Sequence, residues 1–231
     1  MVTGTGGPAK PAPMTSSQDH TPRSLTLAVP KGRVLSVLRG HLERLGFGPD
    51  AFDGSNRRLR FHAAGPLKLN LLLLKPDDVP TYVAYGAAEL GVVGRDVLLE
   101  RNYDLYTPVD LGIGRCTLAV AGLPQDKARY RAAEPLRVAT KFPEITRRFF
   151  AESGRRVDTV FVQGSVELAP LTGLAHVIVD LVESGNTLRD NGLEVFEKIE
   201  DISSVVAVNP AAYKLRLEEL TSVLEILKTP T

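Results

Sequence analysis

Residues 175–193 read AHVIVDLVESGNTLRDNGL, and this stretch contains the clearest structural pattern in the chain. It begins with branched apolar residues at 177–179, which are typical of a strand buried on both faces in the parallel sheet of an α/β domain. Small and polar residues with one glycine follow at 183–187, and residues 188–191 can start a helix that Gly192 ends. The stretch therefore predicts a strand, a tight loop and the start of a helix.

The loop of this unit has the features of a phosphate-binding loop. Its backbone N–H groups can point toward one position, the helix N-terminus adds partial positive charge, and a glycine lets a phosphate oxygen approach the backbone. Asp180 and Glu183 can accept hydrogen bonds from neighbouring hydroxyl groups of a sugar. The combination indicates a ribose 5-phosphate. The loop residues that would contact it are Ser184, Gly185, Asn186 and Thr187.

A surface turn is the alternative interpretation of this loop. A lone S-G-x-T is more often an exposed turn, capped here by Ser184 or Thr187, than a ligand site. The two acids and the buried strand directly before it favour the phosphate site.

Length and composition exclude several classes of function. The 231 residues carry a formal net charge of +1, whereas a general nucleic-acid-binding protein carries a strong basic excess. No run of the sequence approaches the ~20 apolar residues of a membrane span. The one cysteine, Cys116, lies in an apolar run, so we expect a core residue in a cytoplasmic protein and not a catalytic thiol. The four histidines have no partner at metal-ligand spacing, so we expect no metal ligands from the protein.

Two turns at the ends of predicted strands add candidate cations. Lys31 and Arg33 follow the strand at residues 25–29, and Arg95 follows the strand at residues 90–93. Open α/β sheets bind ligands at the carboxyl ends of their strands, so these cations would project from a site. Lys31 and Arg33 could also be solvated charges at a helix start, and spacing alone favours that interpretation.

Residues 180–193, DLVESGNTLRDNGL, resemble the phosphoribosyl pyrophosphate loop of the ATP phosphoribosyltransferase family, which opens histidine biosynthesis. Further matches run in one order from about residue 25 to residue 214, so the resemblance covers nearly the whole folded chain. They are PKGR at 30–33, DVPTYV at 78–83, GVVGRDVLLE at 91–100, ATKFP at 139–143 and QGSVELAPLTGLA at 163–175.

Repeated strand and helix patterns predict two α/β lobes. The resemblance implies the two-lobe, periplasmic-binding-protein-like fold, with two crossovers and the active site in the cleft between the lobes. Residues 1–23, rich in Gly, Pro, Ser and Thr, are expected to form a disordered tail. We assign residues 24–113 together with 210–231 to the first lobe and residues 114–209 to the second.

The resemblance also implies the reaction: transfer of the phosphoribosyl group of phosphoribosyl pyrophosphate to N1 of the adenine of ATP. Mg²⁺ would be carried by the substrate diphosphate, and Asp180 and Glu183 would hold the ribose. The cations that would face the diphosphate are Lys31, Arg33, Arg95 and one of two arginines ahead of the strand predicted at residues 67–74, either Arg57 or Arg58. Other candidates for the cleft are Lys141, Ser165, Glu167 and Thr172.

The resemblance implies a partner as well. The sequence ends at Thr231, after the helix predicted at 210–227, so we expect the short form without the C-terminal regulatory domain of longer members. Short members work with a separate regulatory subunit that resembles a histidyl-tRNA synthetase. We therefore expect a hetero-octamer with such a subunit and a homodimer when the chain is alone.

Two other functions share parts of this pattern. A solute-binding or effector-binding module would have the same two-lobe fold without catalysis, but it would need neither the diol acids nor the phosphate loop. A phosphoribosyltransferase for another base would keep the loop and lose the other matches. The sequence favours the ATP-dependent enzyme over both.

Overall fold

The computed structural model of the chain describes residues 24–52, 57–132 and 135–229. The tail predicted at residues 1–23 lies outside the described residues. Those residues form two α/β lobes with one sheet each, which confirms the predicted fold class. Among the described helices, none has the length and apolar character that crossing a bilayer requires.

The strands and helices alternate along most of the chain. The strands are β1 Leu25–Pro30, β2 Arg60–His62, β3 Leu69–Leu74, β4 Leu90–Gly94, β5 Tyr106–Asp110, β6 Cys116–Gly122, β7 Leu136–Thr140, β8 Val157–Phe161, β9 Val177–Val182, β10 Glu194–Ile202 and β11 Ser204–Val208. The helices are α1 Arg33–Val37, α2 Arg39–Arg44, α3 Val79–Ala84, α4 Arg95–Arg101, α5 Lys127–Arg131, α6 Pro143–Glu152, α7 Leu168–Leu171, α8 Asn186–Asp190, α9 Pro210–Leu215 and α10 Leu217–Lys228.

Both sheets are mixed. The first has the strand order β2-β3-β1-β4-β11-β5, and the second has the order β10-β6-β9-β7-β8. In the first sheet β1 is parallel to β3 and β4, while β11 is antiparallel to β4 and β5. In the second sheet β8 and β9 are parallel to β7, and β6 is antiparallel to β9 and β10. The carboxyl ends of the parallel strands therefore share one edge of each sheet.

The start of β9 is buried on both faces of the second sheet. Val177 and Val179 pack into one hydrophobic cluster, and Ile178 packs into the cluster on the opposite face, because neighbouring side chains of a strand point to opposite sides. All three are fully buried. The strand predicted at residues 177–179 is confirmed, and it brings the loop that follows to the carboxyl edge of the sheet.

The chain returns to the first lobe earlier than the sequence predicts. The predicted second lobe, residues 114–209, includes β11, but β11 pairs with β4 and β5 in the first sheet. That part of the assignment is wrong, because the buried residues of β11 fill the place between these two strands. The crossover is held by backbone bonds: Ser204 N–H donates to the Ile113 carbonyl at 2.9 Å, and Leu111 N–H donates to the Ser204 carbonyl at 3.0 Å.

The helix predicted at residues 210–227 is instead two helices, α9 and α10, which meet at Arg216. Arg216 has φ −134° and ψ 33°, outside the helical range, and its guanidinium binds Glu89 at 3.1 Å. The Glu89 carboxylate also accepts the N–H of Thr26 on β1, at 2.7 Å. The break thus lets Arg216 tie the C-terminal helices to the first sheet.

Candidate active site

The carboxyl ends of the parallel strands of both sheets meet at a cleft between the lobes. Two ion pairs cross it: Arg33 Nη1 lies 2.8 Å from Glu183 Oε2, and Lys141 Nζ lies 3.1 Å from Asp77 Oδ1. Arg33 and Asp77 follow β1 and β3 of the first lobe, whereas Lys141 and Glu183 follow β7 and β9 of the second. The cleft is therefore lined by the edges at which open α/β sheets bind ligands.

The segment from β9 to α8 has the predicted order of strand, tight loop and helix. Gly185 is left-handed with φ 71°, a conformation that glycine reaches without steric cost. Helix α8 begins directly after it, and the buried Leu188 anchors this helix in the second lobe. A cavity of about 230 Å³ lies against the loop. Its lining includes Glu167, Asp180, Glu183, Ser184, Gly185 and Thr187.

The two acids of the loop have different surroundings. Burial raises the pKa of Asp180, and the neighbouring carboxylate of Glu167 raises that pKa further. The N–H of Leu181, which is 2.8 Å from Asp180 Oδ1, and the ammonium of Lys141 act in the opposite direction. Glu183 is exposed and holds the ion pair across the cleft. Asp180 is therefore a carboxylate in a poorly hydrated place, where a hydrogen bond from a sugar hydroxyl is stronger than in water.

A larger cavity of about 540 Å³ adjoins the loop where the chain crosses between the lobes. It is lined by Arg95, a predicted cation, and by Asp110, Arg115 and Ser203, which the sequence analysis did not identify. The Ser203 hydroxyl bonds the Asp110 carboxylate at 2.9 Å, and Arg115 Nε donates to the backbone of the same crossover. The signal that could have revealed them is the glycine-rich turn between β5 and β6, because it marks the crossover.

Cys116 lines the same cavity. The sequence predicts a core residue, but Cys116 is only half-buried, because it begins β6 at the crossover. Burial raises the pKa of its thiol, and the carboxylates of Asp96 and Glu183 raise that pKa further. A thiol with a raised pKa stays protonated at neutral pH and is a poor nucleophile. The environment of Cys116 therefore supports a non-catalytic role.

Three further candidates lie on the second lobe with less direct access to the loop cavity. The Thr172 hydroxyl donates to the Leu168 carbonyl at 2.9 Å and is absent from the lining of that cavity. Ser165 precedes α7 with φ 48°, and Asn186 begins α8 with its side-chain oxygen paired to Arg189. Their contacts with substrate remain predictions.

The remaining cations belong to the first lobe. Lys31 is exposed directly after β1. Arg57 and Arg58 are exposed ahead of β2, and the antiparallel pairing of β2 with β3 places them near the carboxyl end of β3. All three thus lie toward the cleft edge of the first sheet, and the choice between the two arginines stays open.

Comparison with known proteins decides between the enzyme and the binding module. The family model HisG, described as ATP phosphoribosyltransferase, matches residues 75–229, more than half of the chain. The chain belongs to the ATP phosphoribosyltransferase family. The match covers the second lobe and the loop after β9. It includes every segment quoted for the resemblance except PKGR at residues 30–33.

Individual members of the ATP phosphoribosyltransferase family are similar over almost the whole chain. The enzyme of Sorangium cellulosum is 50% identical over 210 residues, which are 90% of this chain and 97% of that relative. The enzyme of Clostridioides difficile is 42% identical over 204 residues, 88% of this chain and 97% of that relative. These relatives confirm the predicted family, and the chain is an enzyme of this class rather than a non-catalytic module.

A solved structure of the family has the same fold. It is titled ATP phosphoribosyl transferase (HisG:HisZ) complex, from Thermotoga maritima. Its chain superposes with a TM-score of 0.75 at 35% sequence identity, over 88% of this chain and 95% of that chain. The arrangement of two lobes around a cleft is therefore that of an ATP phosphoribosyltransferase.

Proposed function

We propose that the chain transfers the 5-phosphoribosyl group of phosphoribosyl pyrophosphate to N1 of the adenine of ATP, the first step of L-histidine biosynthesis. The products are N1-(5-phosphoribosyl)-ATP and pyrophosphate. The observation that carries this proposal is the loop after β9, where a left-handed glycine lies beside two carboxylates and faces Arg33 across the cleft. A phosphate site, a diol site and a cation together match the three parts of phosphoribosyl pyrophosphate.

The reaction depends on alignment and on stabilisation of charge. Adenine N1 attacks the anomeric carbon, the bond from that carbon to the diphosphate oxygen breaks, and its electron pair leaves with pyrophosphate. Because the ring nitrogen is a weak nucleophile, holding both substrates in line supplies much of the rate enhancement. Preorganised cations stabilise the departing polyanion. Those that we assign are Lys31, Arg33, Arg95 and one of Arg57 and Arg58.

The ion pair between Arg33 and Glu183 occupies the place where parts of the substrate would bind. Both side chains are largely exposed, at 68% and 58%, so solvent screens their attraction. We infer that the pair opens when phosphoribosyl pyrophosphate enters: Glu183 accepts a ribose hydroxyl, and Arg33 binds the diphosphate. Each group exchanges one polar partner for another, so the opening costs little.

Magnesium is the cofactor that we propose, carried by the diphosphate of the substrate. Mg²⁺ is usually bound through a few carboxylates and substrate phosphates, and it neutralises charge on the leaving group. Within the described ranges, no group of three or more His, Cys, Asp and Glu side chains is arranged to hold a metal ion. In this proposal the loop and the cations of the cleft bind the phosphates, and Mg²⁺ reaches the site on the diphosphate.

The deciding experiment is an assay of pyrophosphate release. The purified chain is incubated with phosphoribosyl pyrophosphate, Mg²⁺ and, one at a time, a panel of free bases and nucleotides. We expect release with ATP and little release with the other acceptors. Faster release with another base or nucleotide would show that ATP is not the acceptor. Tight binding of phosphoribosyl pyrophosphate without any release would favour the non-catalytic binding module.

The pH dependence of the reaction should report on Asp180. A carboxylate is needed to accept the ribose hydroxyls, so kcat/KM should fall on the acid side as Asp180 is protonated, at a higher pH than for an ordinary aspartate. Glu167→Gln removes a negative charge that raises this pKa, and it should move the acid limb to lower pH. Lys141→Met removes a cation that lowers the pKa, and it should move the limb to higher pH.

The measurement is a pH profile of kcat/KM for phosphoribosyl pyrophosphate in the wild type and both variants. The quantity compared is the pH at which kcat/KM falls on the acid side. The plateau value of kcat/KM is not compared. Limbs that coincide in all three proteins would show that another group controls the acid side.

We propose that the chain works in the cytoplasm with a regulatory subunit that resembles a histidyl-tRNA synthetase, as a hetero-octamer, and forms a homodimer when alone. The support is the similarity to the Thermotoga maritima chain, which was solved in a HisG:HisZ complex and of which this chain covers 95%. Inhibition from a distance requires a second site whose ligand binds two states differently. We place that site on the partner.

Histidine inhibition therefore tests the partner. The chain alone should show little or no inhibition across a histidine titration, and addition of the partner subunit should confer inhibition. Pyrophosphate release measured with and without the partner gives the answer. Strong, saturable inhibition of the chain alone would place the regulatory site within this chain and would contradict the proposal.

A further inference from the structure

Helix α6 of the second lobe receives its N-terminal cap from the first lobe. The residue at its N-cap position is Phe142, whose side chain has no hydrogen-bond acceptor. Glu100, near the end of α4, takes that role across the lobes. Its carboxylate accepts the N–H of Glu144 at 3.0 and 3.1 Å and the N–H of Ile145 at 3.0 Å. These bonds are charge-assisted, and the positive end of the helix dipole strengthens them.

The segment between β7 and α6 is held firmly on both sides of Lys141. The hydroxyl of Thr140, which is fully buried, donates to the Val179 carbonyl at 2.7 Å and accepts the N–H of Phe142 at 2.8 Å. On the other side, Glu100 holds the first turn of α6. Lys141 therefore lies between two fixed points, one on the second sheet and one on the first lobe.

Lys141 points from this segment into the cleft. Its ammonium pairs with Asp77 of the first lobe at 3.1 Å, and its charge lowers the pKa of Asp180, the acid that begins the phosphate-binding loop region. Lys141 is thus a cation between the two sheet edges, and its position depends on where α6 begins.

Helix α4 connects the cleft to this contact. It begins at Arg95, which lines the larger cavity, and its Leu99 packs against the hydrophobic cluster of the second lobe. Glu100 follows Leu99 directly. The same short helix therefore carries a cation of the cleft at one end and the anchor for the second lobe at the other, so a shift of this anchor changes the geometry of the cleft.

We propose that Glu100 is a positioning residue for the reaction: it anchors α6 to the first lobe and thereby sets the place of Lys141 in the cleft. The proposal rests on the proposed function, since it concerns a residue that acts through the site of phosphoribosyl transfer. Glu100 is the last residue of the stretch GVVGRDVLLE at 91–100. It is not among the residues to which we assign contacts with the diphosphate or the ribose.

The first test compares Glu100→Ala and Glu100→Gln with Glu152→Ala, an exposed glutamate at the other end of α6. A misplacement of about 1 Å away from the chemistry can cost roughly hundredfold in rate. We expect Glu100→Ala to lower kcat by about ten- to hundredfold. Glu100→Gln keeps one acceptor oxygen and should recover part of that loss, and Glu152→Ala should match the wild type.

Hydrogen exchange gives a readout that does not depend on activity. The amides of residues 144 and 145 should exchange faster in Glu100→Ala than in the wild type and the Glu152→Ala control, because they lose their acceptor. Unchanged exchange at both amides would overturn the contact itself. If Glu100→Ala does not fold, Glu100→Gln is measured in the same way, with a smaller expected acceleration.

A double-mutant cycle separates positioning from simple stability. If Glu100 acts through Lys141, Glu100→Ala should lower kcat much less in a Lys141→Ala background than in the wild type. Equal losses in both backgrounds would overturn the proposal. An active wild type with unchanged kcat in Glu100→Ala would overturn the positioning role alone, whereas an inactive wild type would overturn the proposed function with it.

Discussion

Replacement of Gly185 by valine is expected to reduce the affinity for phosphoribosyl pyrophosphate by up to about hundredfold, while ATP binding changes much less. Gly185 has φ 71°, and a β-branched residue held there carries strain of about 1–3 kcal/mol. The strain favours other loop conformations, and the apparent affinity falls with the population of the competent one. Gly185 also lines the loop cavity, and a Cβ at this position would lie 3.2 Å from Nη1 of Arg189.

The matched control is Gly154→Val. Gly154 lies in an exposed turn after α6 and has φ 72°, and a Cβ at this position would meet no atom of the described residues within 4 Å beyond its chain neighbours. The variant carries the same backbone strain away from the cleft, so its affinity for phosphoribosyl pyrophosphate should equal that of the wild type. Titration calorimetry on both folded variants makes the comparison. Equal affinity of Gly185→Val and the wild type for phosphoribosyl pyrophosphate would show that this loop does not bind the phosphate.

Thr187→Ala tests the same loop with a smaller change. Thr187 lines the loop cavity, and loss of a hydrogen bond from its hydroxyl to a charged phosphate oxygen should cost about 1–3 kcal/mol of binding. Titration calorimetry is therefore expected to show that both loop variants bind phosphoribosyl pyrophosphate more weakly than the wild type.

Arg33→Ala and Arg95→Ala are expected to lower kcat by roughly 10²–10³-fold, with a smaller effect on substrate binding. Both arginines reach the cleft, Arg33 through its contact with Glu183 and Arg95 as a wall of the larger cavity. Charge on the departing pyrophosphate grows toward the transition state, so a preorganised cation stabilises that state more than the ground state. Steady-state kinetics with phosphoribosyl pyrophosphate and ATP separate kcat from KM.

Arg39→Ala is the control for the loss of one positive charge. Arg39 lies on α2 of the same lobe, is exposed and pairs with Glu43 on its own helix at 2.8 Å, so its removal should leave kcat unchanged. Arg95→Lys keeps the charge but not the planar guanidinium, and it should fall between Arg95→Ala and the wild type. A rise in KM with kcat intact would show that these arginines only bind substrate.

The features that the sequence predicts correctly are local in the chain. The apolar residues at 177–179, the acids that follow and the glycine at 185 lie within a few positions of one another. Their strand and loop conformations follow from side-chain burial and from backbone sterics at those positions. The same reasoning misses the break at Arg216, because that residue leaves the helix to bind Glu89, which is distant in the chain.

The sequence alone is thus sufficient for the α/β class, for the strand, loop and helix between residues 177 and 190 and, by resemblance, for the family. Tertiary structure decided which lobe receives β11 and which residues meet in the cleft: Arg33 and Glu183 are 150 positions apart, and Lys141 and Asp77 are 64 apart. Periodicity and propensity report only on neighbours in the chain. The pairing of distant strands depends on burial summed over a whole sheet, so the cross-cleft contacts appear only when both lobes are folded.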